Sequence, residues 1–174
     1  MSTATSVANA LISCRFDYCN SLFTGISNAN FARLQSIQNS LARVVTRKLK
    51  YDHITPSLKS IHWLPVRYRC DFKVLTLVYK YLSLGSPSYF NQVLKPHVNS
   101  VNTRSSNQNK RILRVPKFKT REHSFVSKRR FDGSFMYVAP QLWNSHPIEL
   151  LTAPSLYTFR CKLKTHLFAK AYPP

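Results

Sequence analysis

The sequence predicts a mainly α-helical protein: a helical bundle around a central apolar helix, with a basic, partly extended connector and a C-terminal helix. Three observations carry this. The stretch Ile61–Gly85 reads as one long helix that is apolar on most sides. Apolar residues recur at three- and four-residue steps through most of the first 97 positions. Glycine is scarce, 3 in 174 residues, which argues against a turn-rich all-β chain.

The central helix has clear ends. Pro65 suits a first helical position, where its missing N–H would have no partner anyway. Gly85 suits a stop, because it accepts the left-handed conformation that ends many helices. At about 100° per residue, Val66, Cys70, Phe72, Val74, Leu75, Leu77, Val78, Tyr79, Tyr81 and Leu82 cover about two-thirds of the circumference. Arg69, Lys73 and Lys80 share the remainder. Such a helix needs neighbours on most sides, with one basic seam facing out.

The other elements come in chain order. Residues 4–23 read as a first helix, with Val7, Leu11, Cys14, Tyr18 and Leu22 on one face and Gly25 as its stop. Ser27 or Asn28 caps a second helix over 28–48. Its apolar stripe is Phe31, Leu34, Ile37, Leu41, Val44 and Val45. Thr55-Pro56 caps and opens a short helix before the central one. Ser86-Pro87 opens another, which Pro96 stops. Residues 98–111 are polar without an apolar period and read as an exposed loop. Residues 112–116 and 124–127 have the composition of two short paired strands. Residues 134–144 read as a helical turn or two around Pro140. Pro147 and Pro154 bracket a short segment, and Ser155 caps a final helix over 156–170, with Leu156, Phe159, Leu163 and Leu167 on one face. This divides the chain into a helical core over 1–97, a basic connector over 98–130 and a C-terminal helical segment over 131–174.

Charge is the strongest functional signal. Lys and Arg number 26 against 6 acidic residues, a net charge of +20. So large an imbalance repels itself unless a polyanion is nearby. RNA, DNA or an RNA–DNA hybrid is the expected partner, ahead of a membrane surface. No apolar run approaches the roughly 20 residues of a membrane span, and the N-terminus lacks the basic start of a signal peptide. Four cysteines without a dense framework suggest reduced thiols in a nuclear or cytoplasmic protein.

The sequence also argues against several chemistries. Metal-assisted phosphoryl transfer needs converging carboxylates; here Asp17, Asp52, Asp71, Glu122, Asp132 and Glu149 are widely spaced. No glycine-rich phosphate loop is present. Cys14 and Cys19 lie roughly 140° apart on a helix and face apart, so a zinc site is not expected. Asp52-His53 has no nucleophile elbow to serve, so a capping or polar role is expected of the pair. The chain is expected to be no enzyme and to need no cofactor.

The binding candidates are therefore cations. Arg33, Arg43, Arg47 and Lys50 gather opposite the apolar stripe of the second helix. Arg69, Lys73 and Lys80 form the seam of the central helix, and Arg67 is a further candidate from its charge. Residues 104–130 hold ten Lys/Arg and one acid, Glu122, and include Lys128, Arg129 and Arg130. Trp63 and Trp143 read as core anchors rather than base-stacking platforms.

The wording of the chain adds a resemblance. Arg15-Phe16-Asp17-Tyr18-Cys19-Asn20-Ser21-Leu22 is followed by Leu34-Gln35-Ser36-Ile37-Gln38-Asn39, Ala42-Arg43 and Thr46-Arg47. Then come Tyr51-Asp52-His53-Ile54-Thr55-Pro56 and the run Leu58 to Arg69, LKSIHWLPVRYR. Later pieces are Ala139-Pro140-Gln141-Leu142-Trp143-Asn144-Ser145-His146-Pro147, Ala153-Pro154-Ser155-Leu156, and Leu163 to Phe168. This ordered set, from about residue 8 to 170, resembles the C-terminal region of jockey-like non-LTR retrotransposon (LINE) reverse transcriptases. The motif positions matched are Arg43, Arg47, His53, Trp63, Arg67 and Arg69. The resemblance implies the thumb and post-polymerase region of an RNA-directed DNA polymerase, downstream of the palm that holds the catalytic aspartates. The Phe/Tyr-x-Asp-Asp motif of that palm is absent here. What carries over is a grip on template or primer, with the upstream palm as a partner in a longer product. Two other readings stand beside it: a truncated transposable-element remnant with no selected function, and a stand-alone RNA-binding adaptor.

Overall fold

The computed structural model describes residues 3–8, 10–11, 14–97, 112–119 and 127–173. Among these the protein is mainly helical: α1 (Thr3–Ala8), α2 (Cys14–Asp17), a 3₁₀ segment η1 (Asn20–Gly25), α3 (Asn28–Thr46), α4 (Thr55–Ser60), α5 (Val66–Leu84), α6 (Phe90–Val93), α7 (Lys128–Asp132), α8 (Phe135–Asn144), α9 (Ile148–Leu151) and α10 (Leu156–Ala171). The expected loop over 98–111 and the expected strand residues 124–126 lie outside the described residues.

The chain divides into two compact units, Met1–Phe72 with Thr165–Pro174, and Lys73–Lys164. The boundaries thus fall inside α5 and α10 rather than near residues 97 and 130. The reason lies at the C-terminus, where Tyr172 is buried with Ala42, Leu58 and Trp63. Its hydroxyl donates to the carbonyl of Trp63 at 2.6 Å. Residues 165–174 therefore belong to the first unit.

α5 forms close to its predicted span, although Val66 rather than Pro65 is its first helical residue and Pro65 holds the cap position. Arg69 N–H bonds to the carbonyl of Pro65, and Gly85, at φ +64°, closes the helix by donating to Tyr81 at 2.8 Å. In the first unit Val66 and Cys70 are buried with Phe31. In the second, Val74, Leu75 and Val78 are fully buried, while Leu77 is half-buried.

α3 keeps its span but rotates its inner face. Ser27 caps it through Asn30 N–H at 3.3 Å. The buried residues are Phe31, Gln38 and Ala42, whereas Ile37 and Val44 are 52% and 73% exposed. Two amides explain the rotation. Gln38 donates to the carbonyl of Leu64 at 2.9 Å, and Gln35 accepts from the N–H of Val66 at 3.0 Å. The second bond satisfies one of the open N–H groups at the start of α5. Buried polar groups must be bonded, so these glutamines take the inward positions that apolar spacing assigns to their neighbours.

The predicted helix over 4–23 is broken. α1, α2 and η1 replace it, and Cys19 sits in the left-handed region at φ +50°. Val7, Leu11, Tyr18 and Leu22 are exposed, while Asn20 is 2% exposed. Polar contacts to α5 set this path: Asn20 donates to the carbonyl of Arg69, and Asp17 pairs with its guanidinium. Thr55 is the first residue of α4 rather than its cap; Ile54 holds the cap position.

The second unit has a different local plan. Leu113 bridges Pro96 in antiparallel fashion. His97 N–H donates to Ile112 and Arg114 N–H to Lys95, at 2.9 and 2.8 Å. Both bonds flank Pro96, so its missing N–H costs nothing. On the other side, the side-chain amide of Asn144 grips both backbone groups of Leu113, accepting at 3.0 Å and donating at 2.7 Å. One asparagine side chain thus satisfies backbone groups that a neighbouring strand would otherwise pair.

α8 runs ten residues straight through the buried Pro140. Trp143 is fully buried, as its expected anchor role requires, and so is Phe159. Tyr79 stacks on Phe159 at 4.3 Å and donates its hydroxyl to the carbonyl of Ala153 at 2.7 Å. Ser155 caps α10 by accepting from Thr158 N–H. Of that helix's predicted face, Phe159 and Leu163 bury within this unit.

Candidate nucleic-acid interface

The predicted cations divide into exposed and engaged groups. In the first unit Arg33, Arg47, Lys50 and Arg67 are exposed, and Lys48 joins them. Arg67 lies over the Phe31 ring at 4.6 Å and donates to Asn28 Oδ1 at 2.6 Å. That places it at the start of α3. Arg47 begins the turn after α3, some 14 residues from Arg33, or about 21 Å along a helix.

Arg69 and Arg43 differ from the outward-facing expectation. Arg69 Nη1 is 2.9 Å from both carboxylate oxygens of Asp17, and its side chain is 14% exposed. Its Nε also donates to the carbonyl of Leu64. Arg43 is half-buried and donates to the carbonyl of Asp52 at 3.4 Å. Polar backbone atoms and a carboxylate meet these two guanidiniums, so they serve as ties within the unit.

The turn after α3 is built tightly from the chain. Arg47 takes the left-handed conformation, φ +53°, and Lys48 N–H reaches back to the carbonyl of Arg43 at 2.9 Å. This is a Schellman closure. Leu49–Asp52 then forms a β-turn, with Asp52 N–H on the carbonyl of Leu49 at 3.2 Å. The Asp52 carboxylate accepts from Leu49 N–H at 2.8 Å. Asp52 therefore supports the turn, the polar role expected of the Asp52-His53 pair, while His53 is exposed. Lys50 and Tyr51 occupy the two central positions. Lys50 Nζ stands 5.7 Å from the Tyr51 ring centroid, and Tyr51 is 90% exposed. Helical spacing does not single out Lys48 or Tyr51. The signal for them is the run RKLKY directly after a helix stop.

In the second unit Lys73 and Lys80 are exposed two turns apart on α5. Lys128 and Arg130 are exposed on α7; the side chain of Arg129 lies outside the described set. Val115, Pro116, Lys117, Phe118, Lys128, Asp132 and Tyr137 line an open cleft of about 430 Å³.

Cys70 and Asp71 of the first unit sit in low-dielectric surroundings. Burial pushes the Cys70 thiol up to about 12, with Asp71 and Asp17 adding to the rise. Burial also raises the Asp71 carboxyl from 3.8 to about 6, against the pull of Arg67 and Lys170. The folded protein therefore takes up this proton more readily than the unfolded chain. Between pH 6 and 4 stability should rise as pH falls, and above pH 6 the buried charge is a standing penalty. Asp71→Asn should raise the melting temperature at pH 7.5 and match the wild type at pH 3. Thermal melts of both at the two pH values would show it; a less stable variant at pH 7.5 would contradict the assignment.

Among the described residues no group of three or more His, Cys, Asp or Glu could hold a metal ion. No described helix is long and apolar enough to cross a membrane. Comparison with protein-family models, curated proteins and solved structures finds no match.

Proposed function

We propose that this chain is a non-catalytic nucleic-acid-binding module: the C-terminal, thumb-and-beyond portion of a LINE-type RNA-directed DNA polymerase, gripping template or primer phosphates. One observation carries the binding role. The chain holds 26 Lys/Arg against 6 acids, and exposed cations stand on both units. The polymerase origin rests on the ordered motifs from Arg15 to Phe168. Phosphates carry no sequence, so the grip is expected to be nearly sequence-independent.

The test is a salt titration of binding to an RNA–DNA hybrid, with a primer-extension assay on the same preparation. Affinity should fall steeply with salt, by a log–log slope of roughly −0.9 per phosphate contact on B-form duplex. No extension is expected with magnesium and nucleotides, because no palm carboxylates are present to hold the metals. Extension would overturn the non-catalytic reading. Absent or salt-insensitive binding would leave an inert retroelement remnant as the better account.

A further inference from the structure

We infer that the Leu49–Asp52 turn is a stacking post for one unpaired nucleobase, with Arg47, Lys48 and Lys50 holding the adjoining phosphates. The inference rests on the nucleic-acid reading above and narrows it to single-stranded segments.

Three observations converge on this turn. Tyr51, at 90%, is the most exposed of the large apolar and aromatic side chains among the described residues. Its backbone is held before any ligand arrives, by the Schellman closure, the Asp52–Leu49 bonds and the Arg43 tie to Asp52. A backbone held in this way need not be ordered on binding, which lowers the cost of presenting the ring. The third observation is charge. Arg47, Lys48 and Lys50 are all exposed within the same five residues, and the one acid beside them, Asp52, is turned onto the Leu49 N–H.

The chemistry selects the ligand. A base offers a π face to an exposed ring, and its phosphates meet three cations. In a duplex both faces of each internal base are already stacked on neighbours, so the ring finds a face only on unpaired nucleotides or ends. The hydroxyl has no required part in stacking, so phenylalanine should replace tyrosine.

The whole chain would be titrated with labelled single-stranded RNA and DNA, a blunt duplex and anionic vesicles. Tyr51→Ala should weaken single-strand binding roughly tenfold, within the range of one stacked base. It should leave the salt slope and duplex affinity unchanged. Tyr51→Phe should bind within twofold of wild type. Lys48→Ala with Lys50→Ala should instead make the single-strand slope shallower by about 1.4, two contacts at roughly 0.7 each. A loss on RNA and DNA alike points to the base; a loss on one alone also supports the post, read together with the sugar. The inference falls if Tyr51→Ala leaves single-strand binding intact, weakens duplex binding equally, or is matched by Tyr51→Phe. It also falls if vesicle binding alone depends on Tyr51. In all these cases wild-type nucleic-acid binding would keep the broader proposal alive, whereas a wild type that binds no oligonucleotide sinks both. Unchanged thermal melts should accompany every variant, since these side chains are exposed.

Discussion

Trp143→Ala should cost about 3–5 kcal/mol of folding stability, the range for truncating a buried large aromatic. Trp143 is fully buried in the second unit, with the Phe159 ring 5.9 Å away. Phe159 in turn stacks on Tyr79, so the cavity would open beneath a packed row of rings. The neighbouring residue, Asn144, holds both backbone groups of Leu113. Any shift of α8 would therefore loosen the bridge to Pro96 as well. Natural domains hold only about 5–15 kcal/mol in all, so the loss should show as a large drop in the denaturant midpoint. Trp143→Phe should recover part of it. Because Trp143 has no surface role, the salt slope of whatever protein remains folded should not move. A variant as stable as wild type would mean the Trp143 cavity collapses without cost.

The second large effect is electrostatic. Two variants separate the units: Arg33→Ala, Arg47→Gly, Lys48→Ala and Lys50→Ala in the first, and Lys73, Lys80, Lys128 and Arg130 to Ala in the second. All eight side chains are exposed, so stability should change little. Glycine is chosen at position 47 because the backbone there is left-handed, at φ +53°, which suits glycine better than alanine. If each cation contacts a phosphate, either variant should make the log–log salt slope on duplex shallower by roughly 3 to 4. Arg69→Ala is the contrasting control. It strands Asp17 and removes a largely buried guanidinium, so it should lower stability and leave the slope nearly unchanged. A slope that moves for Arg69 and for neither four-site variant would reverse the division between engaged and exposed cations. If only one four-site variant moves it, that unit carries the grip.

Much of the helical plan is legible in the sequence because it rests on local rules. Pro65 and Gly85 mark the ends of α5, Ser27 and Ser155 cap α3 and α10, and the four-residue step from Phe159 to Leu163 places one face. Trp63 and Trp143 read as buried from their size and setting, and they are. Charge is legible in full, since a count needs no coordinates. The less legible parts depend on partners far away in the chain. Spacing alone treats Gln35, Gln38 and Asn20 as surface residues, yet each bonds a backbone group 26 to 49 residues distant.

The sequence by itself therefore determined the class of fold, the main helix limits and the strong basic character of the chain. Helix capping, turn preference and net charge act within a few residues or none. The tertiary structure alone decided which cations remain open, which way α3 faces, where residues 112–114 pair and how Tyr51 stands out. The reason is that a buried amide, a guanidinium or an open backbone group is satisfied only by a specific partner. For Arg69 that partner, Asp17, lies 52 residues away in sequence, and folding is what brings the two together.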